Sequence, residues 1–481
     1  MTSSSRQEQT SQYQFSFKIF SGFTPYLTEE AADKLREYKY AGGDNGIVYK
    51  YFYNPLALKL VQYLPDTVAP NLLTLIGFLF TVVPFFMLFG LYGLDFEGKV
   101  PAWWCYMEAA SYLIYRILDE MDGKQARRTG NSSPLGLLFD HGCDSMTAAI
   151  FTLMILKTGQ CGNGLLVLMG MAAVSQSFYF CTLEEYYIGG LFLGLGNGVT
   201  DASPVLISLF VIQGATDCEF FARTLTLQIS ETYIFSMTYI HLIAWAVIIS
   251  QVIASIYNII CILRKKRVQA GEIDLGEEVQ IAPLLQQIFA FYLILGLVSF
   301  ACIVQENPII KTYTIVPCLL FASIYSHQTI HIQVSHVSKQ KFNPWTRVLL
   351  VNSLVLSLFI LTSLFFKKSI NQYVFFIVVL VITLYSQWHY ILCIIDEMTT
   401  ILSIKVFRTK QSMQNEKEPL LDKQRQNKRQ SDSNKNSPLQ RKNSSASKSS
   451  GKSSNSNKPV RRDTQNNSTN QSTTVDGQSM K

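Results

Sequence analysis

The chain has 481 residues, a mean hydropathy of +0.17 and a formal net charge of +7. From Lys405 onward it carries 17 Lys/Arg and 6 Asp/Glu, a net of +11, so residues 1–404 carry −4. The body therefore offers no basic face for nucleic acid, and its long apolar runs exclude an ordinary soluble multidomain protein.

In chain order, residues 1–30 read as a variable leader. Met1–Gln14 is polar and Phe15–Phe23 contains Lys18, so we expect no cleavable signal and the first true span serves for insertion. Leu27–Tyr40 and Val48–Leu64 are amphipathic and are expected to lie along the membrane interface. Their tyrosine clusters, Tyr38 to Tyr40 and Tyr49 to Tyr53, suit the headgroup zone.

Ten apolar segments follow: Ala69–Gly93, Ala102–Leu118, Leu135–Leu156, Leu165–Cys181, Ser203–Ile212, Tyr233–Leu263, Leu284–Val304, Tyr313–Val334, Val348–Phe366 and Tyr373–Ile395. A spanning helix takes about 20 residues, so the expected fold is all-α, a polytopic membrane protein of about ten helices over residues 31–404. The fifth segment is short and follows Gly196, Asn197 and Gly198, which predicts a broken or re-entrant passage. Lys124, Arg127 and Arg128, the run Arg264–Arg267, Lys339, Lys341 and Arg347, and the basic tail fall on one side of such a fold, expected to be cytosolic. Lys157, Lys367 and Lys368 run against that pattern.

The nine cysteines lie in or beside apolar segments without metal-ligand spacing, and are read as reduced apolar residues. The tail, 405–481, is rich in Ser, Asn, Gln and Lys, nearly free of aromatics, and expected to be disordered. It contains EKEPLL at Glu416–Leu421, of acidic dileucine type.

Between the second and third spans stands DEMDGKQARRTGNSSPLGLLFDHGCD, from Asp119 to Asp144. Asp119 and Asp122 are three apart and Asp140 and Asp144 four apart, so each pair shares a helix face. Carboxylates at membrane depth need compensation, and hard cations supply it: two pairs of aspartates suit two Mg²⁺ or Mn²⁺ ions. Arg127 offers a planar fork to phosphate oxygens. Gly123 and Ala126 remove bulk so that a nucleotide can approach the helix, and Gly136 suits a close helix crossing. His141, beside Asp140, is the candidate general base for a neutral alcohol nucleophile, with Asp144 the competing candidate.

The spacing D-x2-D-G-x2-A-R-x8-G-x3-D-x3-D is met at Asp119, Asp122, Gly123, Ala126, Arg127, Gly136, Asp140 and Asp144. It resembles the signature of the CDP-alcohol phosphotransferases. Three further stretches resemble the eukaryotic choline and ethanolamine branch: DHGCDS (Asp140–Ser145), APNLLTLIG (Ala69–Gly77) and TLEEYYIGGLFLG (Thr182–Gly194). In the last, Leu183 stands for the usual Trp and Tyr187 for the His. The resemblance covers about residues 35–400.

What it implies is transfer of phosphoethanolamine, phosphocholine or both from the CDP-alcohol to diacylglycerol, with release of CMP. The implied site uses Asp119, Asp122, Asp140 and Asp144 for metal, with Asn71, Gly123, Ala126, Arg127 and Gly136 on the donor. Asn71 alternatively caps its helix. About 60 residues after the histidine the branch carries a Glu, matched here by Asp201, which would orient His141. The resemblance also implies endoplasmic reticulum or Golgi membranes, a cytosol-facing site and lipid partners, and leaves a homodimer open. Two alternatives are a synthase using CDP-diacylglycerol, such as phosphatidylinositol synthase, and a cation channel or transporter. Ten spans weigh against the first, and Gly123, Ala126 and Arg127 against the second.

Overall fold

An uncharged run of 25 residues in hydrocarbon must pair its own backbone N–H and C=O groups, and a helix does so within the run. Each of the ten apolar segments contains a helix in the computed structural model, which describes residues 25–228, 234–264, 280–366 and 370–412; in the sixth, Ile234–Thr238 is a strand and the helix begins at Tyr239. After α1 (Glu29–Glu37) and α2 (Asn54–Leu60) come α3 (Pro70–Tyr92), α4 (Ala102–Arg128), α5 (Pro134–Thr158), α6 (Leu165–Ile188) and α7 (Ser203–Ala215). Then follow α8 (Tyr239–Arg264), α9 (Ile281–Ile303), α10 (Ile315–Ser338), α11 (Arg347–Phe366) and α12 (Gln372–Leu402). Seven of them, α3, α6 and α8–α12, are long and apolar enough to cross a membrane. The helices α4 and α5 are as long, 27 and 25 residues, but carry the charged motif.

Hydrogen bonds between loops sort the chain into two ends. At one end, Gly42–Asp44 (β1) pairs in parallel with Leu191–Leu193 (β2), Gln340 bonds Thr28, and Lys410 bonds Gly130. At the other, Lys157 reaches Tyr92 and Asp95, Gly164 bonds Thr314, and Ile309 bonds Gln372. Successive helices from α3 to α12 alternate between these ends. Among the described residues, ten helices therefore run between the two ends, as the sequence leads one to expect. The fifth, α7, is one unbroken helix of 13 residues that joins Asp201 at one end to Cys218 at the other, not a broken or re-entrant passage. Beyond it an antiparallel hairpin, β3 (Thr224–Gln228) and β4 (Ile234–Thr238), leads into α8.

The helix α10 lies at the centre, nearly all of it buried against α5, α6, α9 and α12. A second apolar cluster joins α1 to α5, α10 and α12. Here one sequence expectation changes. The apolar face of α1, Ala31, Ala32 and Leu35, is covered by protein instead of lying on the interface. Backbone N–H groups of Tyr26 and Leu27 donate to Glu397 of α12 at 2.9 Å each, anchoring the entry to α1. Tyr40, Tyr51, Phe52 and Tyr63 remain exposed on the same end.

Lys157 breaks the charge pattern for a structural reason. Its side chain is wholly buried, and Nζ donates to the carbonyls of Tyr92 at 2.9 Å and Asp95 at 2.5 Å. It thus satisfies carbonyls left over where α3 ends. Lys265–Arg267, Lys367, Lys368, the first 24 residues and Glu416–Leu421 lie outside the described residues.

Candidate active site

The motif's spacing is a helix end, a tight turn and a helix start. The helix α4 closes with Gly130 at φ +65: Gly130 N donates to Arg127 O and Asn131 N to Ala126 O. Glycine is the residue that takes this left-handed cap without strain. Ser133 then caps α5, its Oγ accepting from Gly136 N at 3.1 Å, with Pro134 in the first helical position. The turn swings the chain back so that the last two turns of α4 face the first three of α5.

Three carboxylates meet there. One oxygen each from Asp119, Asp140 and Asp144 lie within 4.8 Å of one another. Arg116 Nη1 pairs with Asp119 Oδ2 at 2.5 Å, and the Tyr115 hydroxyl donates to Asp144. Asp119 Oδ1 and Asp140 Oδ1 are buried and have no hydrogen-bond donor among the described residues. Anionic oxygens left unpartnered in a buried site are costly, and a hard divalent cation is what such a set accepts. Asp122 stands apart from the trio: it is buried, and its carboxylate accepts the Thr74 hydroxyl from α3.

Arg127 is exposed, with no ion-pair or hydrogen-bond partner among the described residues. Its fork is available to an anion. A Cβ added at Gly123 would meet the Arg127 guanidinium at 3.6 Å, and one at Gly136 would meet Asn71 Oδ1 at 3.5 Å. Both are ordinary contacts, so packing within the chain does not demand glycine at either place. Ala126 is half-buried beside them. Asn71 does not cap α3; its Nδ2 donates to Val406 O at 3.0 Å. Arg116 and Lys124 are buried and share Glu120, and Lys124 Nζ also lies 5.2 Å from the Tyr49 ring centroid.

His141 lies one residue beyond Asp140, buried on α5. Its acid partner is not Asp201. Asp201 Oδ1 accepts Val48 N at 2.8 Å and Oδ2 accepts Gly196 N at 2.7 Å, so both oxygens are used in clasping the loop around β1 and β2. Burial alone would raise the Asp201 pKa, but these and neighbouring backbone N–H groups outweigh it and hold it below the usual carboxylate value. The carboxylate facing His141 is Glu185 of α6, with Oε2 3.5 Å from Nδ1. Gln333 of α10 joins them, its Nε2 lying 2.7 Å from His141 Nδ1 and 2.8 Å from Glu185 Oε2. Behind Glu185, His336 Nε2 lies 3.9 Å from Oε1 and 3.2 Å from the Tyr38 hydroxyl.

Glu185, Gln333, Tyr115 and Thr74 are the residues sequence reasoning left unassigned. Glu185 carried one signal, a carboxylate just past an apolar span, in the stretch TLEEYYIGGLFLG. Of the other histidines, His241 bonds Cys161 O at 2.7 Å, His331 stacks on Tyr390 with centroids 4.0 Å apart, and His327 packs on both rings.

Comparison with known proteins points the same way. The family model for CDP-alcohol phosphatidyltransferase matches residues 67–189, which span the carboxylates, His141 and Glu185. An uncharacterized CDP-alcohol phosphatidyltransferase class-I family protein of Dictyostelium discoideum is 35% identical over 182 residues, 38% of this chain and 45% of that protein. Choline/ethanolaminephosphotransferase 1 of Arabidopsis thaliana is 32% identical over 200 residues, 42% of this chain and 51% of that protein. The chain thus spans about half the length of these relatives. Choline/ethanolaminephosphotransferase 1 of Saccharomyces cerevisiae is 24% identical over 330 residues, 68% of this chain and 82% of that protein.

Proposed function

We propose, from the premise that this chain carries a CDP-alcohol phosphotransferase family domain at residues 67–189, that it transfers phosphoethanolamine or phosphocholine from the CDP-alcohol to diacylglycerol. The observation that carries the reading is the buried trio Asp119, Asp140 and Asp144 with His141 beside it. Divalent cations, Mg²⁺ or Mn²⁺, held by these three aspartates and by Asp122 would neutralise the pyrophosphate of the donor. Arg127 binds phosphate oxygens through its free fork. The smooth surface at Gly123, Ala126 and Gly136 admits the nucleotide.

The acceptor hydroxyl gives its proton to His141 as its oxygen bonds the phosphorus that bears the alcohol. The bond from that phosphorus to the bridging oxygen breaks, and CMP leaves. Glu185 and Gln333 hold the imidazole in place during the transfer. The basic loops favour a site facing the cytosol, and the lipid chemistry favours internal membranes.

The test is a transfer assay on purified full-length protein in mixed micelles, with labelled CDP-ethanolamine, CDP-choline and diacylglycerol. The expected result is labelled phospholipid and CMP in equal amounts. Product only from CDP-diacylglycerol and a free alcohol would replace this reading with the sibling synthase.

A further inference from the structure

Two thiols meet at the end of the protein opposite the carboxylates. Cys105, in the first turn of α4, and Cys218, in the turn after α7, have Sγ atoms 3.3 Å apart. Both are free in this structure and fully buried. They are 113 positions apart, so chain proximity does not bring them together.

The turn that carries Cys218 is held in an unusual shape. Asp217 and Cys218 both have positive φ, +52 and +58, where side-chain-bearing residues are uncommon. Such a conformation persists only when its surroundings fix it. Here Cys218 N donates to Gln213 O at 2.7 Å, Gln160 Nε2 donates to Cys218 O at 2.6 Å, and Lys99 pairs with Asp217 and Glu219 on either side. All of these contacts aim Cys218 at Cys105.

We propose that Cys105 and Cys218 form a disulfide tying the start of α4 to the turn after α7. The bond requires the sulfurs to close by about 1.3 Å. This inference uses the orientation argued from the basic loops and not the transfer reaction. With the motif end in the cytosol, the thiol pair lies at the lumenal end, where disulfides persist. The step is an exchange with an oxidising disulfide of that compartment. One thiolate attacks it, giving a mixed disulfide, and the second displaces the remaining sulfur. The oxidant is reduced to two thiols, which take up the two protons that the cysteines lose. Closure during folding, before α7 packs on α4, explains how so buried a pair meets its oxidant.

The experiment uses full-length protein in the membranes where it was made. Acid quenching and alkylation with N-ethylmaleimide under denaturing conditions precede digestion, which is run with and without reduction. The expected product is a peptide pair linked through Cys105 and Cys218, with both thiols alkylated only after reduction. Cys105→Ser should free Cys218 for alkylation before reduction, and Cys218→Ser should free Cys105. The thermal midpoint of the unsubstituted protein should drop by several degrees on reduction, and that of either variant should not move. Alkylation of both cysteines before reduction in the unsubstituted protein overturns the proposal, whatever the transfer assay gives.

Discussion

Glu185 Oε2 and His141 Nδ1 face each other at 3.5 Å from two different helices, both buried, with Gln333 touching each. Each of the three comes from a separate helix, α6, α5 or α10, so the imidazole's orientation is a property of the packed bundle. The pair puts an acid against the candidate base.

Replacing His141 by Ala should lower turnover by about two to four orders of magnitude, the range a positioned base supplies. CDP-alcohol binding, measured by calorimetry, should change little, because Arg127 and the aspartates hold the donor. Glu185→Gln should lower kcat by a smaller factor, on the order of tenfold, with KM for the donor nearly unchanged. A raised KM for the donor in Glu185→Gln would assign Glu185 a share in donor binding instead.

Asp201→Asn should leave kcat close to normal and lower thermal stability. The sign of its pH dependence follows from the depressed pKa. A carboxylate stabilised in the fold contributes fully above its unfolded value, and the contribution is lost as pH falls below about 4. The stability gap between the unsubstituted protein and Asp201→Asn should therefore be full at pH 7 and shrink only below about pH 4, as read by thermal melts in detergent. A gap that widens on acidification would contradict the clasp.

Asp119→Asn or Asp140→Asn should remove at least about two orders of magnitude in rate, as expected when preorganised electrostatic stabilisation is lost. Chelation should abolish transfer and added Mg²⁺ or Mn²⁺ should restore it. The same two substitutions should weaken Mn²⁺ binding in the absence of substrate, measured by electron paramagnetic resonance.

The segment after α12 folds back onto the motif. Val406 O accepts from Asn71, the Phe407 ring lies against Phe139, and Lys410 bonds Gly130 O and Asn131 Oδ1 at 3.0 Å each. A chain ending at Ser412 should keep normal specific activity. One ending at Leu402 should melt earlier and turn over more slowly, because the turn between α4 and α5 loses its cover.

Lys157→Met should destabilise by about 1–3 kcal/mol, the cost of leaving buried carbonyls unpaired. Chemical denaturation followed by tryptophan fluorescence would measure it, and no change in midpoint would mean that the Tyr92 and Asp95 carbonyls find other donors.

Much of this was legible from local signals. Hydropathy marked ten helices, and fixed spacing marked Asp119, Asp140 and Asp144, because both are properties of neighbours in sequence. What escaped depends on which helices pack together. Glu185 lies 44 positions from His141, and nothing in the intervening residues says that α6 and α5 bring them into contact. Asp201 occupied the expected place in the order of residues, yet the loop that holds it turns its oxygens to Val48 and Gly196. The apolar side of α1 was visible, but its partner was not, and protein instead of lipid covers it. Residues 405–412 share the tail's polar composition, yet Thr409 is fully buried, a placement that composition does not reveal.

The helix α7 has only 13 residues and rises about 20 Å, against a hydrocarbon layer of about 30 Å. Its side chains Val205, Val211 and Ile212 are nonetheless exposed to the surroundings. In a bilayer, lipid bordering this helix is expected to thin or to admit polar loop to its depth, at fractions of a kcal/mol per Å of mismatch. The strain falls as the bilayer thins. The shortest of the ten helices that join the two ends is thus α7, and the expected consequence is higher activity in vesicles of short-chain lipid than in thick ones.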